Sequence, residues 1–305
     1  MARFPLRIGT RSSRLAMKQA HLVAEALLAT HGDWSPEDVR IVPMVTSGDR
    51  MQQWSLATMG GKGLFTKELE QGLCDGTIDM AVHSLKDLPP GMPDGLCLAA
   101  VLPRSDPRDA LIFRGGSSLD SLPSGATVGT ASVRRQWQLY HHRPDLRTVL
   151  MRGNVLTRLE KMDGGEVDAT FLAVAGLERL GIDPVAYHPL STSTMLPAVA
   201  QGAIGIQTLE SDGMVRGYVA AIHDSLTGEA VGAERALMWL LSGSCTTPMA
   251  GLATMVGDQW CLEGWLADPE TGRQSRQLVS WRVGSGDEAA SIESLAENLR
   301  RAVFV

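Results

Sequence analysis

The stretch Val128-Gly129-Thr130-Ala131-Ser132-Val133-Arg134-Arg135 carries a strand into a helix. Residues 126–129 have strand character, Ser132 is a good helix-capping residue, and apolar spacing predicts a helix near 132–141. Arg134 and Arg135 then stand on the first helical turn, where the helix dipole favours anions rather than cations. An anionic ligand at this turn accounts for them better than a solvated face does. Two more turns have the same design. Arg11-Ser12-Ser13-Arg14 joins a strand at 6–10 to a helix at 12–30, although alone it reads as a plain serine cap. Met151-Arg152-Gly153-Asn154 joins a strand at 148–151 to a helix at 155–162 that carries Arg158. Such turns lie at the carboxyl ends of strands, where open α/β sheets bind ligands.

Outward from these turns, strands and helices alternate. Strands are predicted at 6–10, 39–45, 78–82 and 96–102, and again at 110–113, 126–129, 148–151 and 169–173. Helices include one carrying Leu64, Phe65, Leu69 and Leu73, and one at 174–180. The pattern predicts an α/β fold with mostly parallel sheets. The blocks join near 103–107 and 197–203, with a further strand at 203–207. Two similar domains around a cleft are expected, the first discontinuous (1–102 and 203–221) and the second at 105–200. The last hundred residues differ. Thr227 can cap a helix running to about Leu241, a hairpin turns across Val256-Gly257-Asp258, a third strand is expected at 278–283, and a final helix aligns Ile292, Leu295, Leu299 and Val303. A smaller α+β domain at 225–305 is expected.

The 305 residues carry 28 Lys and Arg against 34 Asp and Glu, a net charge of −6, which disfavours general nucleic-acid binding. Yet 128–161 holds seven cations (Arg134, Arg135, Arg143, Arg147, Arg152, Arg158, Lys161) and two acids, which suggests a local anion site. No apolar run is long enough to span a membrane, and Met1 to Arg7 has no signal-like apolar core. The four cysteines form no CxxC pair and the seven histidines no ligand spacing, so no metal is expected. A reduced, cytoplasmic protein is the expectation.

Three further motifs could carry chemistry. Lys62 in Gly60-Gly61-Lys62-Gly63 lies in a loop that could approach a ligand or be an ordinary turn, and Gly63 excludes a Walker A loop. Lys86-Asp87 follows the strand at 78–82. It could supply an acid/base group or stabilise a developing cation, although an isolated Lys-Asp reads as a surface pair. Cys245, in Gly243-Ser244-Cys245-Thr246-Thr247-Pro248, has a setting that suits an accessible thiolate. Cys74, Cys97 and Cys261 sit in apolar or hairpin segments and read as structural.

Several blocks, in order along almost the whole chain, resemble the porphobilinogen deaminase (hydroxymethylbilane synthase) family. They are Ile8-Gly9-Thr10-Arg11-Ser12-Ser13, Gly60-Gly61-Lys62-Gly63-Leu64-Phe65, Ala81-Val82-His83-Ser84-Leu85-Lys86-Asp87-Leu88-Pro89, Val128 to Gln136, Arg152-Gly153-Asn154-Val155, Ala173-Val174-Ala175-Gly176-Leu177, Gln201-Gly202-Ala203-Ile204-Gly205 and the Cys245 loop. The resemblance implies two domains like type 2 periplasmic binding proteins plus a smaller one. It implies head-to-tail condensation of four porphobilinogen molecules into hydroxymethylbilane with release of ammonia. It also implies a dipyrromethane cofactor joined by a thioether to Cys245. Arg11, Ser13, Lys86, Ser132, Arg134, Arg135, Arg152, Arg158 and Arg179 would hold carboxylates, with Gln19 and Lys62 as lesser candidates. Asp87 would bridge pyrrole N–H groups and stabilise the cationic intermediate. A monomer is implied. Thr58 and Gln207 stand where the family often has lysine and glutamate. Two other readings compete: a non-catalytic module that closes on a carboxylate ligand, and a phosphate-handling transferase. The second is disfavoured because neither a Walker A loop nor a GxGxxG run is present.

Overall fold

In the computed structural model, which describes residues 5–50, 65–116, 118–241 and 247–305, the chain follows the expected alternation of strand and helix. The order begins β1 (Leu6–Arg11), α1 (Arg14–Thr30), β2 (Val39–Met44), α2 (Ser47–Arg50), α3 (Lys67–Cys74), β3 (Met80–Ser84) and β4 (Leu96–Val101). It continues β5 (Asp109–Phe113), β6 (Thr127–Gly129), α4 (Val133–His142), β7 (Arg147–Val149), α5 (Val155–Asp163), β8 (Ala169–Ala173), α6 (Val174–Arg179) and β9 (His188–Pro189). It ends β10 (Ile204–Leu209), α7 (Gly213–Ala220), α8 (Ser225–Leu240), β11 (Met249–Val256), β12 (Gln259–Ala267), β13 (Gln274–Arg282) and α9 (Glu288–Phe304).

Contacts divide the chain into two compact units: Met1–Ser105 with Gly202–Gly228, and Asp106–Gln201 with Glu229–Val305. The first holds a five-stranded sheet ordered β2-β1-β3-β10-β4, in which β1 pairs parallel with β2 and β3 while β10 runs antiparallel to β3 and β4. Strand alternation splits its apolar residues between two faces. Leu6, Ile8, Met80, Val82, Ile204 and Ile206 pack with Val23 and Leu27 of α1 and Val219 of α7. Ile78 and Ala81 pack with Leu69 and Leu73 of α3.

The second unit repeats this scheme in a sheet ordered β7-β6-β8-β5-β9. Here β6 pairs parallel with β7 and β8, and β5 is the antiparallel strand. In each sheet, the antiparallel insert is the strand that follows the chain's arrival from the other unit: β10 after 201/202 and β5 after 105/106. Leu111, Val128, Phe171 and Leu139 fill one face, and Ile112, Leu172, Met151 and Leu177 the other.

The second unit also carries the antiparallel sheet β11-β12-β13. Gly257, at φ +63, makes the hairpin between β11 and β12. Gly264 lets α9 approach, since a Cβ there would lie 2.9 Å from Leu299. Ile292, Leu295, Leu299 and Val303 are the buried face of α9, as their spacing predicts. The α/β class with two sheets and a smaller α+β part is therefore observed.

Three expectations need correction. Thr227 is not the cap of α8. Asp224, a stronger cap residue one turn earlier, accepts the Thr227 N–H at 2.8 Å. The Thr227 hydroxyl instead accepts from the Arg104 N–H. The strand placed at 278–283 begins four residues earlier, because β13 pairs with β12 along its full length. Cys74, read as structural, is exposed at the end of α3, while Cys97 and Cys261 are half-buried.

Candidate functional site

In the first unit the parallel strands β1 and β3 end side by side, so the residues that follow them gather at one edge. Arg11 closes β1, with its guanidinium carbon 4.1 Å above the centre of the Phe65 ring. Ser13 caps α1, its hydroxyl accepting the Ala16 N–H at 3.3 Å. Gln19 is buried and its amide exchanges hydrogen bonds with the Ser84 hydroxyl (2.8 and 3.0 Å) at the end of β3. Leu85–Asp87 then forms a single 3-10 turn, closed by the Leu88 N–H on the Leu85 carbonyl, which sets Lys86 and Asp87 half-buried at that edge. Lys62 lies outside the described residues, as does Cys245.

Behind this edge stands His83, which sequence reasoning passed over as a non-ligand. It is 5% exposed, and its Nε2 donates to Gln207 Oε1 at 3.1 Å. Burial pushes its imidazole down to about 4, the Gln207 contact opposes the shift, and Arg11 adds to it. The imidazole is therefore neutral at physiological pH. The Gln207 amide also faces Met92 Sδ at 4.0 Å, in the segment beyond Asp87. The position of His83 directly before Ser84 was the available signal; its partner 124 residues away was not legible.

In the second unit β6, β7 and β8 likewise end together. Ser132 caps α4, its hydroxyl accepting the Arg135 N–H at 3.4 Å. Arg134 and Arg135 turn inward, both 5% exposed. Arg134 Nη1 lies 2.7 Å from Asp109 Oδ2 and donates to the Leu196 carbonyl at 2.7 Å. Arg135 reaches Asp109 Oδ1 through Nε (3.0 Å) and Nη2 (2.6 Å), and Nη1 donates to the Phe171 carbonyl. Asp109 supplies, from within the protein, part of the anionic complement that two arginines at a helix start call for. Burial alone would raise the Asp109 carboxyl, but the two guanidiniums hold it far below the usual range. Burial pulls Arg134 down, Asp109 pushes it up, and Arg135 again lowers it.

Arg152, Arg158 and Arg179 are half-buried. Arg152 follows β7, and its Nε is buried with no hydrogen-bond partner among the described residues. Arg158 bends back from α5, donating Nε to the Gly153 carbonyl at 2.9 Å, while Asn154 caps that helix. Arg179 closes α6, a short helix beyond β8. Burial depresses it to about 10, against the raising effect of Glu178, so it stays charged at neutral pH without full solvation. A buried, unpartnered Nε and a desolvated guanidinium are donors suited to an anion, and a cofactor bearing several carboxylates fits them.

The structure thus gathers Arg11, Ser13, Gln19, Lys86 and Asp87 at one strand edge, and Ser132, Arg152 and Arg158 at the corresponding edge of the other sheet. Asp109, Gln201 and Glu234 escaped sequence reasoning, because a lone acid or amide announces nothing without its partners. No group of three or more potential metal ligands occurs among the described residues, and no helix there is long and apolar enough to cross a membrane.

Both units are mixed α/β sheets whose parallel strands end in serine- and arginine-bearing turns. Residues 6–217 match the family described as porphobilinogen deaminase, dipyromethane cofactor binding domain. Porphobilinogen deaminase of Paracoccus denitrificans (strain Pd 1222) is 46% identical over 297 residues, 97% of this chain and 94% of that protein. That of Nitrobacter winogradskyi is 49% identical over 285 residues, 93% and 89% of the two chains. The chain belongs to the porphobilinogen deaminase family. Among solved structures, the methionine-binding protein MetQ is similar at TM-score 0.45 and 14% identity, over 75% of this chain and 94% of that one.

Proposed function

We infer that this chain is a transferase of tetrapyrrole biosynthesis, condensing four porphobilinogen molecules head to tail into hydroxymethylbilane with release of ammonia. The observation that carries the reading is the polar set at the strand ends: the half-buried Asp87 carboxylate in one unit, and serine and arginine turns in the other, where Arg152 Nε has no partner among the described residues. Each pyrrole ring of such a substrate bears an acetate and a propionate, and guanidinium forks bind carboxylates in two-point fashion.

The cofactor read here is dipyrromethane, attached as a thioether to Cys245. When bound, it supplies the pyrrole carbon to which the first substrate is joined. Lys86, Ser132, Arg134 and Arg135 would hold its carboxylates, and Asp87 its pyrrole N–H groups. Arg11, Ser13, Gln19, Lys62, Arg152, Arg158 and Arg179 would bind substrate carboxylates. Asp87 is a half-buried carboxylate just past the end of β3, of the sign that meets a developing positive charge. It would stabilise that charge as ammonia leaves a substrate methylene and the next ring attacks.

The working parts are read as three: 1–102 with 203–221, then 105–200, then 225–305. The third has its own sheet and carries Cys245. The proposal extends to a cytoplasmic monomer that binds no nucleic acid, on the acidic balance and the lack of paired-cysteine motifs. Intact mass of the purified full chain tests the core claim. An adduct of two pyrrole units is expected, absent from Cys245→Ala. Asp87→Asn should keep the adduct and lower kcat by about 10²–10⁴-fold, read as ammonia release. Active protein at the bare-chain mass would refute the covalent primer.

A further inference from the structure

Glu234 lies on α8, wholly buried at 0% exposure. Its two carboxylate oxygens accept from two different parts of the backbone. Oε2 accepts the Ala200 N–H at 2.6 Å, and Oε1 the Ala253 N–H of β11 at 2.9 Å. Ala200 is a residue under backbone strain: its φ of +58 is the one positive value of a non-glycine residue among those described. A side chain there costs energy that only surrounding contacts can offset. The short bond from Glu234 is the direct contact that fixes this peptide.

What Ala200 holds is informative. The next side chain, Gln201, is buried, and its Nε2 donates to the Pro107 carbonyl at 2.7 Å and to Asp109 Oδ1 at 3.1 Å. Asp109 Oδ1 is the same atom that receives Nε and Nη2 of Arg135. Upstream, the Leu196 carbonyl accepts from Arg134, and the Pro197 carbonyl from the Gly251 N–H of β11. Residues 196–201 therefore run as a rail. Leu196 meets Arg134 and Gln201 meets the Asp109 that holds Arg135, while Pro197 and Ala200 meet β11 and α8, the elements that flank residue 245 in sequence.

We infer that Glu234 is a positioning residue: it clamps Ala200 and Ala253 together and, through Gln201, fixes the Asp109 carboxylate on which the Arg134 and Arg135 forks are set. A carboxylate is required because both oxygens must accept. Glutamine keeps the size but turns an N–H₂ toward one of the two backbone N–H groups. The inference rests on the proposed deaminase activity for its kinetic consequence and on geometry alone for the clamp.

The test uses the full chain, with porphobilinogen as probe. Glu234→Gln should lower kcat at least about tenfold, as loss of a hydrogen bond to a buried carboxylate predicts, and leave KM within about twofold. Leu262→Ala, a core truncation in β12 that lowers the melting temperature as much or more, should keep kcat within about twofold. Adding Ala200→Gly to Glu234→Gln should restore most of kcat, because glycine takes a positive φ without a clamp. If kcat falls equally in the two destabilised variants, or glycine restores nothing, the positioning role is overturned. Native-state hydrogen exchange of the unmutated chain judges the clamp even if a variant does not fold. The Ala200 and Ala253 amides should open together, in one event; separate opening overturns the clamp. A wild-type chain that releases no ammonia would sink the proposed activity, and the exchange result would still stand or fall by itself.

Discussion

Two sheets with one strand scheme solve the same problem with opposite electrostatics. In each, an antiparallel insert brings a polar partner from far along the chain to groups beside the site edge. In the first sheet β10 brings Gln207 to His83, and the pair is neutral. In the second β5 brings Asp109 to Arg134 and Arg135, and the cluster is fully ionised. The neutral pair cost little to bury but responds to protons. The ionic cluster ignores neutral pH but depends on every member being present. A backbone plan therefore does not settle how a site is wired; the residue delivered by the inserted strand does.

Removing one member of the ionic cluster should give the largest effect. Asp109→Asn leaves two buried guanidiniums facing an amide, and a loss of about 3–5 kcal/mol is expected in urea unfolding. Replacing all three members together, with Asp109→Leu, Arg134→Met and Arg135→Met, should recover much of that stability. Activity should not return with it. If the single variant lost under about 1 kcal/mol, the ionic description of the second sheet would be wrong.

Acid should separate the sheets. The folded state lowers His83 from 6.5 to about 4, so its contribution is complete above pH 6.5 and drains away as pH falls towards 4. That amounts to about 3 kcal/mol across the window. Asp109, also lowered, begins from 3.8 in the unfolded chain, so its contribution is lost only below about pH 4. Amide exchange on acidification from pH 7 should then show protection falling first in β3 and β10, and later in β5 and β8. His83→Gln should flatten the upper window alone. Gln207→Glu should invert it: a carboxylate beside the imidazole raises its folded pKa, so the added stability is present at low pH and lost as pH rises. A His83→Gln chain with an unchanged slope between pH 7 and 4 would remove His83 from the account.

The legible part of this molecule is the part written in local periodicity. β8 at Ala169–Ala173, the buried stripe of α9 and the hairpin at Gly257 follow from a short apolar run, a spacing of 3.6 and one glycine. The strand-to-helix turns were legible too, since serine caps and strand ends are local, and they locate Arg11, Ser13, Ser132 and Arg152. Partnership was not legible. Arg134 and Arg135 announced a need for an anion, yet nothing near them in sequence pointed to Asp109, which lies 25 and 26 residues earlier. β9, a two-residue strand, carries no period to detect. Ala200 looks like an ordinary small residue until its φ is known.

The smallest effects bear on the two serines that open α1 and α4. Ser13 and Ser132 occupy equivalent places after the first parallel strand of each sheet, and each hydroxyl accepts a backbone N–H three residues on, at 3.3 and 3.4 Å. Capping alone predicts a cost of about 1 kcal/mol for Ser→Ala at either position, but only a few tenths for Ser→Gly, because glycine leaves the end amides open to water. Ser13→Gly and Ser132→Gly therefore remove the hydroxyl with little change in stability. If the serines act only as caps, both glycine variants keep kcat and KM, and the two edges are equivalent. If either hydroxyl also binds a substrate carboxylate, its variant should raise KM for porphobilinogen several-fold, while urea unfolding stays within about 0.5 kcal/mol of wild type. The serine whose glycine variant raises KM marks the edge that receives incoming substrate. A rise in KM at Ser13 and none at Ser132 fits the assignment of Ser13 to substrate and Ser132 to the cofactor; the reverse pattern would exchange the two roles.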